Sequence, residues 1–160
     1  MDTTKKTIIV FSGDLDKMLA AFVIANGAAA MGDDVTMFFT FWGLNALRKD
    51  GVTGTGSGKS TVQKMFAKML PKTPSDAGLS RMNMGGMGSR LMKKVMHEQN
   101  VDSIEQMRDT AIEQEIQMIA CTMSMDVMGF AKEDLIDGID YAGVATYLGE
   151  ADEANVNLFI

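Results

Sequence analysis

Residues 7–40 read TIIVFSGDLDKMLAAFVIANGAAAMGDDVTMFFT, and this stretch decides the fold. Residues 7–12 form a continuous β-branched and aromatic run, which is typical of a strand covered on both faces. Residues 16–31 are rich in alanine and apolar nearly all round, so they predict a largely buried helix. Residues 34–40 repeat the strand pattern. A strand, a helix and a second strand joined by short turns predict a right-handed βαβ unit.

The rest of the chain continues this alternation of strands and helices. We predict further strands over residues 116–121 and 156–160, and a fifth near residues 79–82. Further helices are predicted over residues 61–70, 87–98, 103–115, 123–129 and 141–154. The pattern therefore favours an α/β protein in which a mostly parallel sheet of about five strands lies between two helical layers. A length of 160 residues fits one domain spanning the whole chain, 1–160.

Composition and charge argue against several classes of protein. Fifteen Lys and Arg residues against 21 Asp and Glu residues give a net charge of −6, which offers no basic face for nucleic acid. The longest apolar stretch, residues 18–31, is shorter than the roughly 20 residues that span a bilayer. The first residues lack the pattern of a secretion signal, and a lone cysteine cannot form an internal disulfide. We therefore predict a cytoplasmic protein with no nucleic-acid partner and no membrane span.

Cys121 is the only cysteine, and it closes the apolar run of residues 116–121. Thr122, Ser124 and Asp126 follow, and each is a residue type that can cap a helix. A thiol at the carboxyl end of a strand, just before a helix, lies where α/β proteins usually keep their chemistry. Amide N–H groups and the helix dipole would there favour the thiolate. The alternative is that Cys121 is a buried side chain that only fills space.

Residues 54–61 read GTGSGKST and resemble a nucleotide-binding loop. That motif requires a glycine five residues before Gly58, but this position is Thr53. A phosphate-binding loop also leaves a buried strand directly, whereas residues 50–52 are too short for one. We therefore predict a flexible, solvated, glycine-rich loop at about residues 50–61 and no nucleotide hydrolysis.

Other candidates for chemistry give weaker signals. His97 is the only histidine, and its surroundings favour a surface position on a helix over a partnership with Cys121. One Cys and one His cannot form a zinc site, and the carboxylates show no spacing typical of paired acid and base groups. We predict neither a metal nor a cofactor. The 16 methionines predict core packing first and a subunit interface second.

Five segments resemble the DsrE/DsrF-like family of sulfur-relay proteins. They are IVFSGDLDK at 9–17, FFTFWG at 38–43, MNMGG at 82–86, ACTMSMDVMG at 120–129 and GVATYLGEA at 143–151. The resemblance implies a three-layer α/β/α sandwich, a homo-oligomer and persulfide transfer. It also implies that Cys121 is the cysteine that carries sulfur.

The predicted mechanism follows from this resemblance. Cys121 would accept sulfane sulfur from a donor protein or a low-molecular-weight persulfide and pass it to an acceptor thiol. The candidate residues for the pocket wall come from the ends of three strands: Ser12, Gly13, Asp14, Thr40, Phe41, Trp42, Thr122, Met123 and Ser124. The alternative function is a non-catalytic, oligomeric module that binds a small ligand or a protein, with a structural Cys121.

Overall fold

A computed structural model describes residues 3–50 and 60–160. Its strands form one sheet with the order β4-β3-β2-β1-β5, and every adjacent pair is parallel. The strands are β1 (Lys5–Val10), β2 (Asp34–Phe39), β3 (Gln117–Cys121), β4 (Asp140–Ala142) and β5 (Val156–Phe159). The parallel five-stranded sheet confirms the predicted fold class. Because all strands run the same way, their carboxyl ends meet at one edge of the sheet.

Six helices and four 3₁₀ segments connect the strands of the described part of the chain. The helices are α1 (Leu15–Ala30), α2 (Thr61–Met69), α3 (Met87–Glu98), α4 (Ile104–Glu113), α5 (Thr122–Met128) and α6 (Val144–Asp152). The 3₁₀ segments are Phe41–Leu47, Pro74–Asp76, Met84–Gly86 and Lys132–Asp134. Local sequence explains two of the starts, since Ser60 and Ser103 begin α2 and α4 with complete capping boxes.

The register of the sheet separates its two faces. Ile8 pairs with Met37, which pairs with Met118, and these side chains belong to the main core. The alternate residues Phe38 and Ile119 point to the opposite face, where they form a second, smaller core with Cys121 and Tyr147. Helices α1 and α4 pack together over the main core, whereas Tyr147 comes from α6. The sheet is therefore the middle layer of an α/β/α sandwich, as predicted.

Two predicted elements are wrong. Residues 79–82 form no strand, because the Leu79 and Ser80 amides donate to the side chains of Asn83 and Asp16 instead of to a neighbouring strand. Met82 also has a left-handed φ of 59°. The fifth strand is β4 instead, and its last two residues fall within the predicted helix over residues 141–154. That helix begins only at Val144.

The glycine-rich segment lies almost entirely outside the described residues. The structure describes Ser60 and Thr61 from the predicted loop at 50–61, together with Asp50. Ser60 accepts a hydrogen bond from the Gln63 amide and so caps α2. Residues 51–59 of the predicted loop lie outside the described residues, so the flexible loop stays a prediction.

Candidate functional site

Cys121 is the last residue of β3, and α5 begins at the next residue. It therefore lies at the carboxyl edge of the parallel sheet, next to Ala142 at the end of β4. Its side chain is only 3% exposed and packs with Phe38, Ile119 and Tyr147. Cys121 occupies the N-cap position of α5, but its sulfur accepts no capping hydrogen bond from the first turn.

Tyr147 belongs to the same small core as this thiol, and the sequence did not reveal it. The residue is 4% exposed, and its ring centroid lies 5.1 Å from that of Phe38. Its hydroxyl lies 3.2 Å from Thr7 Oγ1, so the side chain is held by Phe38 and by Thr7. Tyr147 comes from α6, which follows β4, and only the register of the sheet brings it to Cys121.

The connections after β3 and β4 leave the sheet toward opposite faces. Helix α5 follows β3 and contributes Met125 and Met128 to the main core. Helix α6 follows β4 and covers the second core through Tyr147. In open parallel sheets, ligands bind at the carboxyl ends of strands where successive connections diverge in this way. Cys121 thus lies at the topological switch point.

A hydroxyl pair joins the end of β2 to α5 beside Cys121. Thr40 follows the last residue of β2, and its Oγ1 lies 2.7 Å from Ser124 Oγ. Ser124 is completely buried. Two predicted site residues, 84 positions apart in the chain, are therefore in direct contact. The contact fixes the first turn of α5 against the neighbouring strand.

A separate cavity of about 480 Å³ lies at the end of β1. Its lining residues are Phe11, Ser12, Gly13, Asp14, Lys17, Trp42, Asn45, Leu70, Pro71 and Gly78. Four of the predicted pocket residues therefore share one cavity. Cys121 is not among the residues that line it. The residues predicted to form one pocket therefore lie in two separate places on the same edge of the sheet, the cavity and the surroundings of Cys121.

The turn after β1 shapes this cavity. The Asp14 amide donates to Ser12 Oγ over 3.1 Å, and a Cβ atom at Gly13 would lie 2.8 Å from the carbonyl oxygen of Trp42. Glycine therefore permits the close approach of the two strand ends. Asp14 is at the N-cap of α1, but it makes no capping bond and instead pairs with Lys17 over 3.5 Å.

The loop on the opposite wall is fixed to the start of α1. The Leu15 amide donates to the Gly78 carbonyl over 2.8 Å, and the Ser80 amide donates to Asp16 Oδ1 over 2.9 Å. Partial burial raises the pKa of the Asp16 carboxyl, but the hydrogen bonds from Ser80 outweigh it and hold that pKa below its ordinary value. The ionised carboxylate is thus part of the structure around the cavity.

The remaining predicted residues lie outside the cavity lining. Phe41 has a left-handed φ of 48°, and its ring centroid is 5.6 Å from that of Phe11. Thr122 and Met123 are exposed in the first turn of α5, directly after Cys121. They are the exposed residues closest to Cys121 in the sequence.

Lys17 and Asn45 line the cavity but were not predicted to do so, although the sequence contains an indication of each. Lys17 stands three residues after Asp14 in the first turn of α1, where side chains at this spacing face each other. Asn45 is a lone amide within the otherwise apolar residues 41–47. It is 2% exposed, and neither its Nδ2 nor its Oδ1 has a hydrogen-bond partner among the residues that the structure describes.

His97 is exposed in the last turn of α3, as predicted. It lines a smaller cavity of about 150 Å³ whose lining residues do not include Cys121. Within residues 3–50 and 60–160, no group of three or more His, Cys, Asp or Glu side chains could hold a metal ion. In that same part of the chain, no helix is long and apolar enough to cross a bilayer.

Comparison with known proteins identifies the family. The model of the DsrE/DsrF/DrsH-like family matches residues 3–159. The chain belongs to this family. It is 50% identical over 158 residues to the uncharacterized protein YrkE of Bacillus subtilis, covering 99% of this chain and 98% of that protein. It is also 37% identical to the sulfur carrier protein DsrE2 of Allochromatium vinosum, across the whole of both chains.

Two solved structures of low sequence identity show the same fold. The YchN protein of E. coli matches with a TM-score of 0.56 at 13% identity, covering 99% of this chain and all of the other. A protein of unknown function from Methanobacterium thermoautotrophicum gives the same TM-score and identity, covering 98% and 99% of the two chains. The DsrE-like fold therefore extends over the full described chain.

Proposed function

We propose that this protein is a sulfur carrier that holds sulfane sulfur as a persulfide on Cys121. Its position carries the proposal: the only thiol of the chain ends a parallel strand at the topological switch point. The identity to a sulfur carrier of Allochromatium vinosum over the whole chain supports the same function. We further propose that the protein acts in the cytoplasm.

The proposed transfer needs no metal and no second cysteine. The Cys121 thiolate attacks the terminal sulfur of a donor persulfide, R–S–SH. A bond forms between Cys121 Sγ and the terminal sulfur, the S–S bond of the donor breaks, and the donor leaves as R–S⁻. An acceptor thiolate then attacks the terminal sulfur of Cys121–S–SH and regenerates the Cys121 thiolate. Sulfane sulfur moves between thiols without net oxidation.

Burial of Cys121 sets a condition on this chemistry. With Phe38, Ile119 and Tyr147 packed around the thiol, a donor must reach it through a local opening of the second core. Thr122 and Met123, which follow the thiol, and Gly143, which follows its pairing partner Ala142, are exposed. We propose that donors approach along these residues, between the ends of β3 and β4.

Intact-protein mass spectrometry after incubation with inorganic polysulfide tests the proposal. The wild-type protein should gain the mass of one sulfur atom, and dithiothreitol should remove it because a thiol accepts sulfane sulfur. The Cys121→Ser variant is the matched control and should gain nothing. Equal labelling of both proteins, or no labelling of the wild type, would contradict the proposal.

The 3% exposure of Cys121 also favours a second candidate function, a binding module in which this thiol only packs. In that case Cys121→Ala would leave ligand or partner binding unchanged, and the thiol would react with sulfane donors only after unfolding. Labelling with polysulfide at increasing denaturant separates the two, since a carrier is labelled under native conditions.

We also propose that the protein forms a homo-oligomer. Helices α2 and α3 expose apolar side chains that a monomeric protein would normally bury: Val62, Met65, Phe66, Met69, Met87, Leu91, Met92 and Val95. Several are methionines, which suit adaptable contact surfaces. Light scattering coupled to size-exclusion chromatography should give a mass above 17.3 kDa, and a monomer at all concentrations would contradict this proposal.

A further inference from the structure

The cavity at the end of β1 has a buried amide without a partner. Asn45 lines this cavity and is 2% exposed, and within residues 3–50 and 60–160 neither its Nδ2 nor its Oδ1 has a hydrogen-bond partner. Buried polar side chains in folded proteins almost always have partners, because an unpaired donor or acceptor loses its water without compensation. A ligand that offers both an acceptor and a donor would satisfy the Asn45 amide. A carboxamide or peptide amide has this pair.

Opposite charges stand together in the lining of the same cavity. Asp14 and Lys17 both contribute to the lining, and their carboxylate and ammonium groups are 3.5 Å apart. Both side chains are nearly half exposed, so each can exchange its present partner for a ligand group. An α-amino acid carries an ammonium and a carboxylate on one carbon, and it can pair with both residues at once.

The remaining walls suit a short chain between these polar ends. Phe11, Trp42, Leu70 and Pro71 give the cavity an apolar lining. Its volume of about 480 Å³ falls within the usual range for small-molecule sites. Such sites usually have mostly apolar walls and a small number of polar groups.

We propose that this cavity binds an amide-bearing α-amino acid or a short peptide. The ammonium of the ligand pairs with Asp14, its carboxylate with Lys17, and its amide with Asn45. The proposal goes beyond the sulfur-carrier function and does not depend on it, because Cys121 does not line the cavity.

The chain contains its own reporter for this binding. Trp42 is the only tryptophan, lines the cavity and is 43% exposed. Titration with L-glutamine should change its fluorescence emission and saturate at or below about 10 mM, the range of a weak small ligand. L-norleucine, which lacks the amide, and glutaramate, which lacks the ammonium, should each bind about tenfold more weakly. Absence of saturable change in emission and of binding heat by calorimetry would overturn the proposal.

Two variants separate ligand binding from a structural role. Asn45→Leu should abolish the glutamine response while leaving the melting temperature equal or higher, because it removes an unpaired buried amide. Lys17→Met should weaken binding about tenfold. Lys94→Met is its matched control, since Lys94 forms an exposed ion pair with Glu98 on α3 and lies outside the cavity lining. Unchanged affinity in Asn45→Leu, or equal loss in the two lysine variants, would contradict the assignment.

The test is independent of sulfur transfer. Cys121→Ser should bind L-glutamine like the wild type, because residue 121 is not part of the cavity lining. Loss of polysulfide labelling with retained glutamine binding would therefore reject only the sulfur-carrier function. Retained labelling without glutamine binding would reject only this inference.

Discussion

Thr40 Oγ1 and Ser124 Oγ lie 2.7 Å apart and join the end of β2 to the first turn of α5. Cys121 lies three residues before Ser124, so this contact fixes the helix that begins directly after the thiol. Neither residue lines the cavity at the end of β1. A hydroxyl as fully buried as that of Ser124 needs such a partner, because an unpaired buried donor or acceptor is destabilising.

Removing one member of the hydroxyl pair should destabilise the protein. We expect Thr40→Val to lower the free energy of unfolding by about 1–3 kcal/mol, because it leaves the buried Ser124 hydroxyl without its partner. Urea unfolding measures this loss. The double variant Thr40→Val/Ser124→Ala should cost less than the sum of the two single variants. Strict additivity would show that the two hydroxyls do not interact.

Gly43 should tolerate no side chain. A Cβ atom there would lie 1.9 Å from the Val10 carbonyl oxygen, so Gly43→Ala must displace the end of β1. We expect it to lower the free energy of unfolding by about 3 kcal/mol or more. Gly149→Ala is the matched control, because nothing lies within 4 Å of a Cβ atom there. Since Gly149 is inside α6, this change should stabilise by about 0.5–1 kcal/mol. Equal effects at the two positions would refute the packing argument.

Tyr147 should control access to the thiol. We expect Tyr147→Ala to speed alkylation of Cys121 by iodoacetamide about tenfold or more, corresponding to roughly 1.4 kcal/mol less free energy for local opening. Leu148→Ala serves as control, because this neighbouring side chain on α6 is exposed. Rates measured at several low denaturant concentrations distinguish local opening from global unfolding. If Tyr147→Ala and the wild type react at the same rate, Tyr147 does not cover the sulfur.

The Asp16 carboxylate should make part of the stability depend on pH. Its pKa is below the ordinary value in the folded protein, since the Ser80 hydrogen bonds outweigh the opposing effect of burial. The stabilisation is therefore complete above the unfolded pKa of about 3.9 and is lost as the pH falls through the lower folded pKa. Asp16→Asn should cost about 1 kcal/mol at pH 7, and the difference from the wild type should shrink in acid.

Ser80→Ala is the companion variant for this pH experiment. It removes the hydroxyl donor to Asp16 while the Ser80 backbone amide continues to donate. Its loss of stability should therefore be smaller than that of Asp16→Asn and should shrink over the same acidic range. Chemical denaturation at several pH values measures both variants. A difference that stays constant with pH would show that the ionised carboxylate is not the stabilising group.

Local pattern in the sequence determined the alternation of strands and helices, the parallel sheet, and the place of Cys121 at the end of a strand. The predicted helix over residues 87–98 matches α3 at both ends. Such features follow from hydrophobic period and from caps, which involve residues only a few positions apart. The three residues of β4 were missed because so short a strand acquires its conformation from pairing with β3, and not from its own side chains.

Tertiary structure alone decided which face of the sheet each site residue occupies. Successive residues of a strand point to opposite faces, so Cys121 turns toward Tyr147 while its neighbour Ala120 enters the main core. The thiol and the cavity are separated because Cys121 ends β3 whereas the cavity lies at the end of β1, with β2 between them. The unpaired amide of Asn45 is likewise a result of packing between distant segments, and the lone asparagine in an apolar run only hinted at it.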